Sequence, residues 1–494
     1  MARRLEDEYY LKGTRWLLLI IVCSIIFANS LTFFTFGEIN AACVEVFYDF
    51  NGAVTGEYLS MVYIMGNVVG AMIAMRYIHD VKKSVIIGNV LTILGVGLKF
   101  FSIIPSNDRY DPILWGQVLC GIGLPFSLSM IATISHNWFS SMERDWAMKY
   151  MYMAHPVGTC CGLLMGSYFG SHACSQMGFT KLFLAQETFL VVSLLAFSCF
   201  KPLPVQYKRE ELDELYVVQP GDFPSNSSRI TFESNRRHKK KIKERENKSV
   251  ESKLIRMQTN WLLKNPNIWT LAFCFASAYA LIYSIFLATA EHSLAIDYGY
   301  SMQDTLIFIA AFAVGGLLGT YVYGACIAYG SHHPERGVYH PVRTAGFCLS
   351  LLSVIGFNVW LDGESSKDGM VAYFTLGVLM LPLIPVCLET GAELCFDVPE
   401  GIVSSLLFIL GDIVLLASYV LIAQMDKDEA AFIHSFMKPP YKAVLLVLAL
   451  SSCLFSFATR GPYKRSKAEH LKQGAQTIAS PRGTGGEPFT PTRH

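Results

Sequence analysis

A few polar side chains stand in stretches of this chain that are otherwise strongly apolar. Asp412 lies in the run 402–424, Glu389 and Glu393 in 370–396, and His155 in 147–169. A carboxylate in a low-dielectric slab costs about 2.5–3.5 kcal/mol on insertion scales, so Asp412 is expected to face protein and to find a partner. Three roles are open to it: pairing with a cationic solute, taking up a proton, or a hydrogen bond within the protein. His155 changes charge near neutral pH with little tuning. It can relay protons, ligate a haem iron or be held by an ordinary hydrogen bond. Glu389 and Glu393 are four apart and share a helix face, where two close carboxylates repel unless one is protonated. Asn29, Phe33 and Phe36, spaced four and three apart, share another face. Aromatic faces, with a carboxylate, are what can hold an ammonium group that has no hydrogen to donate.

The elements that must position these groups are long and apolar. The 494 residues are 52% hydrophobic and only 16% charged, against about 25% charged in soluble domains. Roughly six runs of about 20 apolar residues lie on each side of the polar stretch 201–266. They are expected near 16–39, 58–78, 85–104, 113–139, 147–169 and 182–200, then 268–289, 305–328, 342–361, 370–396, 402–424 and 441–458. The organisation expected is an N-terminus at 1–14, a six-helix bundle at 15–200, a basic loop at 201–266, a second bundle at 267–459 and a disordered tail at 460–494. Placing both ends and the loop in the cytoplasm puts most of the 40 Lys and Arg on that side, as the positive-inside rule requires. Two six-span halves joined by a basic loop are the pattern of a two-bundle carrier, with its solute held between the bundles.

Several segments also carry a family likeness. Tyr58-Leu59-Ser60-Met61-Val62-Tyr63-Ile64-Met65 resembles the start of the second span in the feline leukaemia virus subgroup C receptor-related transporters, the solute carrier 49 branch of the major facilitator superfamily. Gly116-Gln117-Val118-Leu119-Cys120 is similar to the opening of their fourth span. Trp138-Phe139, Glu143 and Ala147 match their pattern between spans four and five. Glu389, Glu393, Glu400 and Gly401 match their span-ten carboxylates and the following Glu-Gly. The resemblance implies an all-α integral membrane protein, with twelve transmembrane helices in two six-helix bundles and the major facilitator fold. Members of the family are described as exporters of haem, carriers of choline and ethanolamine, or carriers of a vitamin.

By that resemblance Asn29 and Met65 keep the residue types of a choline site, Phe33 stands where the family has tryptophan, and Tyr283 matches a tyrosine that closes the cage from the other half. The family's Asn-Gln pair on span five reads His155-Pro156 here, and a family glutamine aligns with Asp412. The substrate-binding set implied is Asn29, Phe33, Met65, His155, Tyr283 and Asp412. Gating or coupling is expected at Asp80, in the loop after span two, and at Glu143, Glu389 and Glu393, with Glu393 read as reaching Arg144 or Arg343. Lys99 is expected to snorkel to the interface.

The expected activity is alternating-access transport of a small choline- or ethanolamine-like cation. The alternatives are haem export, proton-coupled carriage of a neutral or vitamin-like solute, and a non-transporting receptor. An enzyme is not expected, since no catalytic constellation has usable spacing. Gly315-Gly316-Leu317-Leu318-Gly319 and the stretch Gly158 to Gly166 read as close helix packing rather than phosphate loops, and no metal spacing appears, so no cofactor is called for. The partners expected are a small-molecule substrate (organic cation or haem) and membrane lipid, not nucleic acid, for a chain that works as a monomer in the plasma membrane. Cys43 and Cys174 are candidates for a disulfide. Asn226 and Asn247, although in glycosylation patterns, are expected to stay unmodified in a cytosolic loop.

Overall fold

The computed structural model describes residues 2–36, 56–78, 80–104, 110–139, 141–171, 176–200, 262–290, 299–331, 339–360, 365–395, 398–427 and 441–459. Cys43, Cys174, Asn226, Asn247 and most of the central loop lie outside them. Among the described residues seven α-helices make the first half: α1 (Ala2–Ser30), α2 (Gly56–Ala74), α3 (Val81–Phe101), α4 (Tyr110–Leu128), α5 (Ile131–Trp138), α6 (Ser141–Gly166) and α7 (Gln176–Cys199). Among the described residues seven also make the second: α8 (Pro266–Ala290), α9 (Met302–Ser331), α10 (Tyr339–Trp360), α11 (Ser366–Met380), α12 (Leu383–Leu394), α13 (Glu400–Lys427) and α14 (Tyr441–Ala458).

Eleven stretches of the described residues are long and apolar enough to cross a membrane. The expected fifth span is α6, which is not among the eleven. Glu143, Arg144, Asp145 and Lys149 fall in its first turns and lower its hydropathy. At 26 residues it is about 39 Å long, enough to span a bilayer. Two spans are each built from two helices. α4 and α5 meet at Ser129 and Met130, shortly after Pro125; α11 and α12 meet at Leu381 and Pro382. Proline lacks the N–H that would continue the helix ladder. These are the fourth span of each half, and interruptions at matching places in two repeats are a recurring feature of carriers.

Within the first half, α1 packs on α6 and α7, α2 on α4, and α3 on α4 and α7. Within the second, α8 packs on α12, α13 and α14, α9 on α11, and α10 on α11 and α14. The halves meet where α2 lies against α13 and α6 against α9. Gly158, Gly162 and Gly166 form a stripe along α6 that rests on the backbone of Phe27, Leu31 and Thr35. Small residues at this spacing let two backbones approach, which hydrocarbon surroundings do not otherwise drive. This seam brings His155, at the head of the stripe, against the end of α1.

Lys99 does not snorkel. It is fully buried between α3 and α4, with its Nζ unbonded and 5.6 Å from the centre of the Phe36 ring. Its stem is enclosed because Gly116 of α4 lies directly against it.

Candidate functional site

α1 ends at Ser30, and the chain then unwinds through 31–36. A helix end leaves carbonyls without partners, which here would be buried. The N–H groups of Leu31, Thr32 and Phe33 take three of them, at Phe27, Asn29 and Ser30, and two glutamine amides take the carbonyls of the unwound segment itself. Gln117 Nε2 of α4 donates to the Thr32 and Phe33 carbonyls at 3.1 and 3.3 Å, and Gln186 Nε2 of α7 donates to the Leu31 carbonyl at 3.2 Å and to Thr35 Oγ1 at 2.8 Å. The unwound segment is thereby fixed, and with it the Phe33 ring.

Phe33 is the hub of an aromatic cluster. Its centroid lies 4.2 Å from Phe34, 4.7 Å from Tyr63 on α2, 6.0 Å from His155 on α6 and 5.5 Å from Tyr283 on α8. Tyr283 continues it to His155 at 5.2 Å and Tyr279 at 4.6 Å. Phe33, Tyr63 and His155 belong to the first half, Tyr279 and Tyr283 to the second, so the cluster bridges the two bundles. Asp412 of α13 is 2% exposed and lies beside the Tyr279 hydroxyl and the Asn67 amide of α2. Its Oδ1 accepts no hydrogen bond, and Asp412 forms no ion pair among the described residues.

Several buried polar atoms around these rings have no hydrogen-bond partner among the described residues. Both ends of the Asn29 amide, Asn67 Oδ1, His155 Nε2 and the hydroxyls of Tyr152, Tyr279 and Tyr283 are buried without hydrogen-bond partners. Each such group costs about 1–3 kcal/mol unless something polar satisfies it. A polar ligand set among these rings would satisfy them.

Of the residues singled out in the sequence, Phe33, His155 and Tyr283 converge on this cluster, with Asn29 buried on the adjoining last turn of α1 and Asp412 joined to it through Tyr279. Met65 does not join them. It is 55% exposed, on the outer face of α2 with Tyr58, Val69 and Met72. Two residues along a helix are turned by about 200°, so the inner face belongs to Tyr63 and Asn67 instead. Phe36 points away toward Phe183 and Lys99. Tyr63, Asn67, Tyr152 and Tyr279 were missed in the sequence. The readable signals were the four-residue spacings Tyr63–Asn67 and Tyr279–Tyr283, which put each pair on one helix face.

The residues expected to gate sit in several different settings. Asp80 caps α3, accepting from the Lys83 N–H at 3.1 Å and pairing with its ammonium at 2.6 Å. Burial raises the Asp80 carboxyl, but the side-chain bond, backbone N–H and charge of Lys83 outweigh it and hold it below the usual carboxylate range. Glu143 is bonded to Arg15 Nη2 at 2.7 Å, joining α6 to α1 within one half. Glu389 and Glu393 are buried on α12. Arg343 is turned to α14, donating to Ser456 Oγ at 3.2 Å and to the Ser456 and Thr459 carbonyls. Several contacts cross between the halves at the end where α1 begins. The Tyr339 hydroxyl donates to Asp145 at 2.9 and 3.0 Å, His136 Nδ1 lies 3.6 Å from Glu400 Oε1, and Trp146 covers Gly324.

Comparison with known proteins agrees with this architecture. The chain is 22% identical over 477 residues to solute carrier family 49 member A3 of Xenopus tropicalis, covering 92% of this chain and 89% of that protein. It is 20% identical over 357 residues to the choline/ethanolamine transporter FLVCR1 of Felis catus, covering 71% of this chain and 57% of that one. The resemblance read from the sequence is thus borne out. Among solved structures, a single-site variant of the Escherichia coli fucose:proton symporter FucP superposes with a TM-score of 0.58 at 12% identity, covering 91% of this chain and all of that one. A D-xylose-proton symporter does so with 0.62 at 10% identity, covering 91% and 99%. The family profile described as Major Facilitator Superfamily matches residues 18–418, and with eleven apolar spans and the two-bundle packing it follows that this chain is a multi-pass membrane transporter belonging to the Major Facilitator Superfamily.

Proposed function

We propose that the chain is an alternating-access carrier of a small organic cation, of the size and type of choline or ethanolamine. The observation that carries this reading is Asp412: a buried carboxylate with no cationic partner among the described residues, set beside ring faces contributed by both halves. Ring faces attract a cation by about 0.5–2 kcal/mol each, more when water is excluded, and the carboxylate adds a full opposite charge. The last turn of α1 adjoins the same place, where the Tyr63 hydroxyl donates to the Asn29 carbonyl at 3.5 Å. The similarity to a choline/ethanolamine transporter supports the same cargo class. A porphyrin fits less well, since its carboxylates would meet Asp412.

Phe33 and Tyr283 touch across the bundle interface, so a cargo must part the halves on one side to enter and on the other to leave. The plasma membrane, with both ends of the chain in the cytoplasm, is the location this reading favours. The test is flux of radiolabelled choline, ethanolamine and haem into proteoliposomes. Choline or ethanolamine flux lost in Asp412→Asn and Tyr283→Ala supports the reading. Haem flux, or cation flux indifferent to both substitutions, overturns it.

A further inference from the structure

The hydrogen bonds around His155 define its tautomer. Ser30 Oγ lies 2.7 Å from the Ile26 carbonyl oxygen, which can only accept, so the hydroxyl proton of Ser30 is committed there. The same Oγ lies 2.7 Å from His155 Nδ1. With its one proton already used, Ser30 can only accept from the ring, and Nδ1 carries the hydrogen. Nε2 of the neutral imidazole therefore presents a bare lone pair. That nitrogen is buried and has no partner, and its ring sits among Phe33, Tyr283 and Tyr152, at 6.0, 5.2 and 6.4 Å.

We propose that His155 Nε2 selects cargo by the direction of a hydrogen bond: it favours small cations that bring an O–H or N–H donor and disfavours those that offer only an acceptor there. This rests on the organic-cation reading above. Asp412 and the rings address the positive centre and are indifferent to the rest of the molecule; a one-way acceptor on the opposite bundle is not. An amide in the same position would rotate to suit either partner. The imidazole resists this, because turning Nε2–H toward the cargo requires the Ser30 hydroxyl to give up the Ile26 carbonyl and donate to Nδ1 instead. In this account Ser30 is a positioning residue that acts through the ring.

The experiment compares three cations of similar bulk in proteoliposomes: choline, n-propyltrimethylammonium, in which a methyl replaces the hydroxyl, and the methyl ether of choline, which only accepts. A site that hydrogen-bonds a cargo hydroxyl discriminates strongly against analogues lacking it, so about a tenfold or greater preference for choline is expected in the unaltered protein. The ether is expected to be carried no better than the propyl compound. His155→Gln should raise the ether above the propyl compound, and Ser30→Ala, which touches no cargo, should shift the ether in the same direction by freeing the tautomer. Equal uptake of choline and the propyl compound overturns the proposal while leaving the cation reading intact, as does an ether-to-propyl ratio unmoved in His155→Gln. Uptake of none of the three, and none of ethanolamine measured alongside, overturns the cation reading itself. Should either variant fail to reconstitute, the three-way order in the unaltered protein decides.

Discussion

Replacing Asp412 by Asn is expected to move stability and cargo affinity in opposite directions. In the empty carrier the carboxylate is 2% exposed and has no ion pair among the described residues. A carboxylate at such a place costs about 2.5–3.5 kcal/mol on insertion scales, so the isosteric amide relieves up to that much. Asn67 and Tyr279 stand beside it and can bond an amide as well. With cargo bound the balance reverses. Losing one partner of a buried charge pair costs about 2–5 kcal/mol, and the lower part of that range, about 2–3 kcal/mol, suits a cation still held by the rings of Phe33, Tyr63 and Tyr283. That is about a 30- to 150-fold weaker choline Kd. The assay is thermal unfolding of the purified variant with and without choline, alongside a binding titration. The empty variant should melt no lower than the parent and gain little from choline, while the parent is stabilised in proportion to occupancy. An Asn variant that binds choline like the parent refutes the assignment of the carboxylate to the cargo. A variant that melts well below the parent refutes the claim that the carboxylate has no cationic partner in the empty carrier.

Four further outcomes follow from the packing. Gly162→Leu drives a side chain into the Leu31 backbone and should abolish surface expression, because backbone cannot swing aside as a side chain can. Met65→Ala, on the outer face of α2, should change flux by less than about twofold when normalised to surface protein, since it touches none of the cluster. Lys99→Met keeps the buried stem and removes an unbonded ammonium, so the melting temperature should hold or rise; a fall of several degrees would mean that the amine has a structural role. The difference in stability between the parent and Asp80→Ala should be present at neutral pH and persist below pH 5. The folded carboxyl titrates below its ordinary value, so this contribution is complete above about pH 4 to 5 and is lost only as pH falls through the depressed range. Denaturation series across pH check it, and loss of the difference already at pH 6 would contradict the capping geometry.

Much of this was legible in the amino-acid order. Apolar runs of bilayer length can only be helices in lipid, because every backbone group must be bonded within its own segment. That requirement marks out the apolar spans and the unusual standing of Asp412 and His155 within them. The glycine stripe on α6 was readable too, since its spacing is that of a helix face. The direction a helix turns that face was not. Met65 and Tyr63 lie in the same apolar run, and only contact with α4 and α13 decides that Tyr63 and Asn67 look inward while Met65 looks out. Nor does the order of residues reveal that α1 stops at Ser30, after which Gln117 and Gln186, distant in sequence, bond the carbonyls of the unwound segment and present Phe33 to Tyr283. The depth of Lys99 and the bond that locks His155 are of the same kind. Hydropathy is a property of one segment, but the partner of a buried polar atom comes from another, and tertiary structure alone brings the two together.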